Sequence, residues 1–331
     1  MKRTVALIGL RHAHIFGLLD QIVKHPELEL TAICESNADA SDALCHRYPE
    51  LKITDDDPEA MLQRRQFDMV AIGDCYGKRG AIAILALKHN CNVISDKPLC
   101  TALAELDAIA ALVAERWLSV GCLFDIRNVP AFVTARELIR SKQLGKIIQI
   151  QFTGQHQLLY GIRPSWYFEP GMHGGTLNDI ACHAIDVLPW LTGSELKRIV
   201  AARTWSACGI PGFNDAAQLM LELDNGCGVL GDVSYSAPDA PECILPSYWR
   251  FNIWGTNGMI EFNCSDGEPL KLYANGSRGV SLLAAPLATG LTPLESFLLE
   301  LNGGNPELNT GSVLKSSRQA LLLQQAGEHS S

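Results

Sequence analysis

A lysine at the end of a short apolar run, in the segment 93–99 (VISDKPL), is the first residue suited to chemistry. The run predicts a strand followed by Asp96, Lys97 and Pro98, and α/β sheets bind ligands beyond the carboxyl ends of their strands. Proline restricts the backbone conformation of the residue before it, so the direction of the lysine side chain is constrained. A partly desolvated lysine can exchange protons near neutral pH. On this segment alone, a solvated turn lysine is the better interpretation.

A second candidate set lies in the segment 173–186 (HGGTLNDIACHAID). Asp179, His183 and Asp186 fall at i, i+4 and i+7, on one face of a predicted helix over 176–191. An aspartate one turn from a histidine orients the imidazole and stabilises the imidazolium, as in a general acid–base pair. The preceding glycines allow close approach of a ligand. A structural histidine is the alternative, but the strand-end lysine favours catalysis.

The first strand and helix place a glycine-poor turn where dinucleotide-binding folds carry G-x-G-x-x-G. The three positions hold Gly9, Arg11 and His14, so the first glycine alone is present. A helix N-terminus still suits a pyrophosphate, and Arg11 adds positive charge. Glu35, at the end of the second predicted strand, is placed to bind ribose hydroxyls and repel a 2′-phosphate, which favours NAD over NADP. A solvated loop carboxylate is the alternative for Glu35.

Neither histidine nor cysteine spacing predicts a metal site. His12 and His14 are two positions apart and diverge, and no carboxylate pattern completes a ligand set, so loop or capping roles are expected. The 11 cysteines are scattered, odd in number and without a C-x-x-C pair. This pattern is typical of buried reduced thiols rather than of a disulfide framework.

Composition narrows the class of protein. A chain of 331 residues with 47% hydrophobic content predicts two globular domains. The net charge is −9 and basic residues form no concentrated cluster, which argues against nucleic-acid binding. No apolar run approaches the ~18–20 residues of a membrane span. The apolar stretch near the N-terminus is too short for a secretory signal, so we expect a cytoplasmic protein.

Apolar runs and helical spacing alternate through the first 124 residues. The predicted strands are 5–9, 28–34, 67–73, 92–95 and 118–124. The predicted helices are 12–24, 39–48, 57–64, 79–89 and 102–115. This alternation predicts an α/β Rossmann domain with a doubly wound parallel sheet over residues 1–124.

The pattern changes after residue 124. A helix is predicted over 130–142, and the tail is helical over 291–301 and 310–325. Strands are predicted over 147–154, 197–206, 216–223, 228–235, 250–255, 259–263 and 270–273. Asp224-Asn225-Gly226 is a strong hairpin signal between two of them. Residues 125–331 therefore form a predicted α+β domain with a large, mainly antiparallel open sheet.

Three segments resemble motifs of the Gfo/Idh/MocA oxidoreductases, a family that includes inositol dehydrogenases and glucose–fructose oxidoreductase. Residues 96–98 resemble its E-K-P motif, residues 127–130 (RNVP) an R-F-x-P-like segment, and residues 174–186 match G-G-x-L-x-D-x-x-x-H-x-x-D at each specified position. The likeness covers nearly the whole chain in order. Two departures from the family pattern affect the segments expected to bind the cofactor. Residues 73–75 (GDC) replace A-T-P, and Arg79 stands at a histidine position.

The resemblance implies an NAD-dependent dehydrogenase that acts on a secondary alcohol of a polyol, sugar or sugar derivative. Lys97 and His183 would transfer protons beside the nicotinamide, with Asp179 assisting, and we expect their side chains to converge on one cleft. A cis Lys97–Pro98 bond is expected, as is a homodimer or homotetramer. The candidate cofactor-binding residues are Gly9, Arg11, His12, His14, Glu35, Asp74, Asp96, Lys97 and Pro98. The candidate substrate residues are Arg127, Trp166, Tyr167, His173 and Asp186.

Two other functions stay open. One is an NAD-dependent glycoside hydrolase of the same family, and the other is a non-catalytic ligand-binding descendant. The second is disfavoured because Lys97, Asp179 and His183 are all present. The departures in the predicted cofactor-binding segments favour it.

Overall fold

The computed structural model describes residues 2–239, 249–264, 268–284 and 290–329. The chain forms two compact units. The first comprises Met1–Leu123, Pro164–Gly174 and Pro293–Arg318, and the second comprises Phe124–Arg163, Gly175–Thr292 and Gln319–Ser331. The predicted division placed residues 1–124 in one domain, whereas in these units Phe124 belongs to the second and two later segments belong to the first.

The first unit contains a parallel sheet with helices between its strands. Its strands are β1 (Arg3–Ile8), β2 (Leu28–Cys34), β3 (Met69–Ile72), β4 (Asn92–Ser95) and β5 (Val120–Cys122). Its helices before residue 124 are α1 (His14–Lys24), α2 (Ala38–Arg47), α3 (Pro58–Arg64), α4 (Tyr76–Lys88) and α5 (Leu103–Arg116). The order β2-β1-β3-β4-β5, with every pair parallel, confirms the predicted Rossmann class.

The core of the first unit explains why a late segment belongs to it. Helix α8 (Pro293–Leu301) contributes Leu294, Phe297 and Leu298 to the cluster that contains Val5 and Leu7 of β1. A parallel sheet must be covered on both faces, and apolar side chains on a helix meet that need wherever the helix lies in the sequence.

The second unit is built on one large sheet. Its strands are β6 (Ile147–Gln157), β7 (Leu196–Trp205), β8 (Ala216–Leu223), β9 (Gly228–Ala237), β10 (Arg250–Gly255), β11 (Gly258–Phe262), β12 (Leu270–Ala274) and β13 (Ser281–Leu283). Their order is β13-β12-β11-β10-β6-β9-β8-β7, and among the described strands the β6–β9 pair is the parallel one. The predicted mainly antiparallel sheet is confirmed.

The helices of the second unit are α6 (Pro130–Arg140), α7 (Cys182–Thr192) and the end of α9 (Thr310–Glu328). The predicted hairpin between β8 and β9 is also confirmed, since Gly226 has φ +83° and its N–H bonds to the Leu223 carbonyl. Within the described ranges, no helix has the length and apolarity that crossing a membrane demands.

Candidate active site

Lys97 follows β4 and is held by its surroundings. Its side chain is buried, with 3% of the residue exposed, and the Lys97–Pro98 peptide bond is cis as expected. The ammonium Nζ lies 5.8 Å from the centroid of the Tyr76 ring. The interpretation of Lys97 as a solvated turn lysine is therefore wrong.

Asp96 is fully buried and bound on both oxygens. Oδ1 accepts the Lys97 N–H at 2.7 Å, and Oδ2 accepts Arg79 Nη2 at 2.9 Å. Nδ1 of His12 lies 2.5 Å from Oδ2, and Nδ1 of His14 lies 3.4 Å from Oδ1. Burial raises the pKa of Asp96, but the Arg79 charge and His12 outweigh it and hold that pKa well below its usual range. The carboxylate is therefore ionised.

Arg79 is a site residue that the sequence marked only as a departure. Its guanidinium is fully buried and donates to the Lys97 carbonyl, to the Pro98 carbonyl at 3.4 Å and to the Asp74 carbonyl at 2.8 Å. A guanidinium presents five N–H donors in a rigid fork, so one side chain can hold several main-chain carbonyls. Arg79 thus braces the backbone of Lys97 and Pro98 and also binds the side chain of Asp96.

His12 and His14 do not take the predicted capping roles. The residue at the cap of α1 is Ala13, without a side-chain hydrogen bond, and both imidazoles turn to Asp96. Donor atoms of these two histidines and Asp96 lie within 4.8 Å of one another. The Arg79 guanidinium on the same carboxylate opposes a cation there, and the absence of a metal stays a prediction.

A cleft of about 340 Å³ opens at the carboxyl ends of β1, β2 and β3, where the strand order reverses. Rossmann folds bind dinucleotides at this reversal. Three predicted cofactor residues, Gly9, Glu35 and Asp74, line the cleft. The other lining residues are Ile8, Cys34, Ser36, Asp56, Pro58, Gly77, Lys78, Ala81 and Ile82.

Two glycines make the turn after β1 possible. A Cβ on Gly9, which has φ +79°, would lie 2.5 Å from the Asp74 Cβ. A Cβ on Gly73 would lie 2.3 Å from the Ile15 side chain of α1. Close packing of helix on strand is the usual task of the third glycine in G-x-G-x-x-G. Here Gly73 provides that space, although the third motif position is His14.

Glu35 is buried and bound to the backbone. Its oxygens accept the Leu10 N–H at 2.6 Å and the Asn37 N–H at 2.7 Å, and 6% of the residue is exposed. The alternative of a solvated loop carboxylate is therefore wrong. Each carboxylate oxygen can accept a second hydrogen bond, so the ribose-binding prediction is compatible with these contacts.

The predicted substrate residues Trp166, Tyr167 and His173 belong to the first unit and surround Tyr76. Their ring centroids lie 4.9, 5.6 and 5.6 Å from that of Tyr76. Tyr76 is a site residue that sequence reasoning missed, because nothing in the spacing around it differs from an ordinary helix start.

In the second unit, His183 lies on α7 after a π-helical turn, Leu177–Ala181. The predicted helix over 176–191 is therefore π-helical rather than α-helical in its first turn, which contains Asp179. The Tyr235 hydroxyl donates to Asp179. Nδ1 of His183 lies 3.7 Å from the Asp125 carboxylate, and its ring packs on Trp249 with centroids 5.4 Å apart.

Gly175, before this turn, makes room for another part of the protein. Gly175 has φ +92°, and a Cβ there would lie 2.1 Å from the Gln324 side chain of α9. Gln324 Oε1 accepts the N–H groups of Leu177 and Asn178 at 2.9 and 3.1 Å. The space predicted for a ligand beside Gly175 is thus filled by Gln324, which anchors the π turn.

Arg127 and Asp186, both predicted substrate residues, bind each other. Arg127 Nε and Nη2 donate to the two Asp186 oxygens at 2.7 and 2.6 Å. Their side chains are 11% and 2% exposed. A substrate role for either residue stays a prediction, as does the joint action of Lys97 and His183.

Family models match most of the chain. Residues 3–122 match an oxidoreductase family with an NAD-binding Rossmann fold, and residues 132–261 match the GFO/IDH/MocA C-terminal domain. Rhizopine catabolism protein MocA of Rhizobium meliloti is 28% identical over 66% of this chain and 63% of its own length. The scyllo-inositol 2-dehydrogenase (NAD(+)) of Bacillus subtilis is 25% identical over 62% and 58%. The matched region thus spans less than two thirds of these relatives.

Solved structures share the fold over the whole chain. An oxidoreductase from Agrobacterium radiobacter, in complex with NAD+, L-tartaric acid and magnesium, has a TM-score of 0.78 at 18% identity, covering 100% of this chain and 98% of its own. The aldose–aldose oxidoreductase of Caulobacter crescentus has a TM-score of 0.79 at 17% identity, with 100% and 99% covered.

Proposed function

This chain belongs to the Gfo/Idh/MocA oxidoreductase family, and from that premise we propose that it is an NAD-dependent dehydrogenase of polyols, sugars or sugar derivatives. The observation that carries the proposal is the placement of a buried, braced Lys97 directly after β4. The cleft at β1, β2 and β3 belongs to the same unit. Curated relatives named as dehydrogenases of inositol and levoglucosan support the substrate class.

The residues around the cleft fit a dinucleotide. Gly9 lets the turn after β1 pass close to Asp74, and Glu35 offers acceptors for ribose hydroxyls. The N-terminal turn of α1 carries no acidic residue, and Arg11 precedes it, which suits a pyrophosphate. When bound, the nicotinamide supplies the hydride acceptor.

The protein groups then move the proton. Lys97 donates a hydrogen bond to the reacting oxygen, and its position is maintained by the Asp96 and Arg79 contacts to its backbone. The His183 imidazole receives the proton that leaves the hydroxyl, and the nearby Asp125 carboxylate stabilises the imidazolium. Asp179, held by Tyr235, assists from the preceding turn.

The proposed preference for NAD over NADP follows from charge. Glu35, Asp56 and Asp74 line the cleft, whereas Lys78 is the basic residue among its lining side chains. A 2′-phosphate beside this acidic lining is repelled. Calorimetry is expected to give at least tenfold tighter binding of NAD than of NADP, and Glu35→Gln narrows that ratio. Equal affinities would contradict the preference.

The activity is tested by a substrate screen. Polyols, inositols, sugars and sugar acids are incubated with NAD, and NADH formation is followed with wild type, Lys97→Met and Lys88→Met. Lys88 is an exposed residue at the end of α4 and serves as the matched control. We expect Lys97→Met to lose at least 10²–10³-fold in turnover, since it removes the group that binds the reacting oxygen. Unchanged turnover removes the mechanism.

Two further assays separate the two other functions. Release of a sugar from an aryl glycoside without net NADH production would establish the glycoside hydrolase. Failure to bind NAD and NADP in calorimetry would establish the non-catalytic descendant.

A homodimer or homotetramer is proposed through the open face of the large sheet. A groove of about 580 Å³ there is lined by Met220 and Leu230, which are 43% and 41% exposed. Exposed apolar patches of this kind often mark subunit contacts. Analytical ultracentrifugation is expected to show an oligomer that Met220→Asp dissociates, and a monomeric wild type would contradict it.

A further inference from the structure

A chain of hydrogen bonds in the first unit reaches Tyr167, a predicted substrate residue. It starts at Asp96, whose Oδ2 lies 2.5 Å from His12 Nδ1. His12 Nε2 lies 3.1 Å from the Tyr76 hydroxyl, which lies 3.0 Å from the Tyr167 hydroxyl. All four residues are buried. Distances alone leave open which group donates in each hydroxyl contact.

The charged end decides the direction of the first bond. The Asp96 carboxylate is ionised between Arg79 and the Lys97 N–H, so it only accepts. A bare His12 Nδ1 facing it would set two lone pairs against each other, so Nδ1 carries a proton. Burial lowers the pKa of His12 to about 4, and at neutral pH the ring therefore holds a single proton. Nε2 is consequently an acceptor.

The direction of the first hydrogen bond determines the direction of the next two. Because His12 Nε2 accepts, the Tyr76 hydroxyl must donate to it. A hydroxyl has one proton, so the Tyr76 oxygen accepts from Tyr167. The hydroxyl proton of Tyr167 is therefore used in the bond to Tyr76. Toward any further group, the Tyr167 oxygen can only accept a hydrogen bond.

The indole of Trp166, the residue before Tyr167, is a hydrogen-bond donor. Trp166 stacks on Tyr167, with ring centroids 4.1 Å apart, and is 1% exposed. Within the described segments, its Nε1 has no hydrogen-bond partner. Buried N–H groups are nearly always paired, so an unpaired donor on the indole that stacks on Tyr167 points to a ligand that completes its bond.

We propose that Tyr167 and Trp166 select a hydroxyl group of the substrate. The substrate hydroxyl donates to the Tyr167 oxygen and accepts from Trp166 Nε1. A carboxylate has no proton to donate to Tyr167, so a sugar acid is disfavoured at this position relative to a polyol or neutral sugar. The ligand class rests on the proposed function, whereas the directions of the bonds do not.

The bond directions are tested without a substrate. Long-range ¹H–¹⁵N NMR of ¹⁵N-histidine-labelled protein at pH 7 reports which ring nitrogen carries the proton, and His12→Gln assigns the signal. We expect His12 protonated on Nδ1 and bare on Nε2. Protonation on Nε2 would reverse every bond toward Tyr167 and overturn the proposal.

The selection is tested with two phenylalanine variants in the substrate screen. Tyr167→Phe removes the acceptor, so KM for polyols should rise at least tenfold while kcat changes less than threefold. Tyr76→Phe frees the Tyr167 proton to donate, so the kcat/KM ratio of sugar acids to polyols should rise at least tenfold. Tyr273→Phe, at an exposed position of β12, is the control.

The outcomes separate the two proposals. An unchanged acid-to-polyol ratio in Tyr76→Phe overturns the selection while leaving the dehydrogenase intact. If wild type oxidises no compound, the dehydrogenase fails and the hydroxyl assignment fails with it, whereas the tautomer measurement still decides the bond directions.

Discussion

In each unit an arginine–carboxylate pair is buried beside a residue predicted to be catalytic, and the two pairs differ in what they hold. Arg79 and Asp96 have fully buried side chains, and Arg79 also binds the carbonyls around Lys97. Arg127 keeps 11% of its side chain exposed, and it donates to the carboxylate and the carbonyl of Asp186 on α7.

The comparison shows two uses of a buried ion pair. Removing charges from water is costly, and the cost is recovered only where hydrogen bonds satisfy both partners. In the first unit those bonds extend to the main chain, so the pair positions the lysine backbone. In the second unit the bidentate pair joins Arg127 to Asp186. Asp186 lies three positions after His183 in the sequence.

The largest expected effect comes from breaking the first pair. Arg79→Met leaves the Asp96 carboxylate buried without its main counter-charge, and should lower the free energy of unfolding by about 3–5 kcal/mol. Urea denaturation at pH 7 measures this. Arg64→Met is the control, because that side chain is 66% exposed and its partner Asp55 is also bound by Arg65, so a loss below about 1 kcal/mol is expected. A smaller loss for Arg79 than for Arg64 would contradict the comparison.

His12 makes the stability of the first unit dependent on pH. Its pKa is lowered from 6.5 to about 4 in the folded protein, so between those values the unfolded chain binds a proton that the folded chain does not. Stability is therefore lost as pH falls from 6.5 toward 4, by about 3 kcal/mol. Urea denaturation across this range should show a shallower pH dependence for His12→Gln than for wild type. Parallel curves would rule out the linkage, and exposed His46→Gln is the control.

Breaking the second pair should cost less than breaking the first. Arg127→Met leaves Asp186 without its bidentate partner, but the partial exposure of this pair lets water replace some of the bonds. We expect a loss of about 2–3 kcal/mol in urea denaturation. A loss equal to or above that of Arg79→Met would show that exposure does not distinguish the pairs.

The smallest expected effect is at Tyr235. Tyr235→Phe removes one hydrogen bond to the buried Asp179 carboxylate, which should cost about 1–2 kcal/mol in thermal or urea unfolding. Under the proposed function, turnover should fall about tenfold or more because Asp179 loses its orientation. Normal turnover in a destabilised variant would limit Tyr235 to a structural role.

Much of the fold was predictable because its signals are local. The apolar runs of β1, β3 and β4 and the hairpin residues 224–226 act through neighbouring residues, and the structure places elements close to each predicted range. The family motifs likewise marked Lys97 and His183 as candidates from short segments. Strand β13 was missed, because the run 281–283 is too short to show a period.

The immediate partners of the candidate residues were not predictable. Tyr235 lies 56 positions from Asp179, and Gln324 lies 147 positions from Leu177. No sequence period links residues at such distances, since packing of separate elements brings them together. The π turn was missed for the same reason: Gln324 binds its first amides from another helix.

By itself, the sequence determined the alternation of strands and helices, the position of Lys97 after a strand and the family motifs, because hydrophobic periodicity and turn chemistry operate within a few residues. Only the tertiary structure decided that Arg79 braces Lys97, that Glu35 is bound by backbone amides and that hydrogen bonds connect Asp96 to Tyr167. These contacts depend on burial, because a polar group removed from water needs hydrogen-bond partners, and the fold supplies them from distant parts of the sequence.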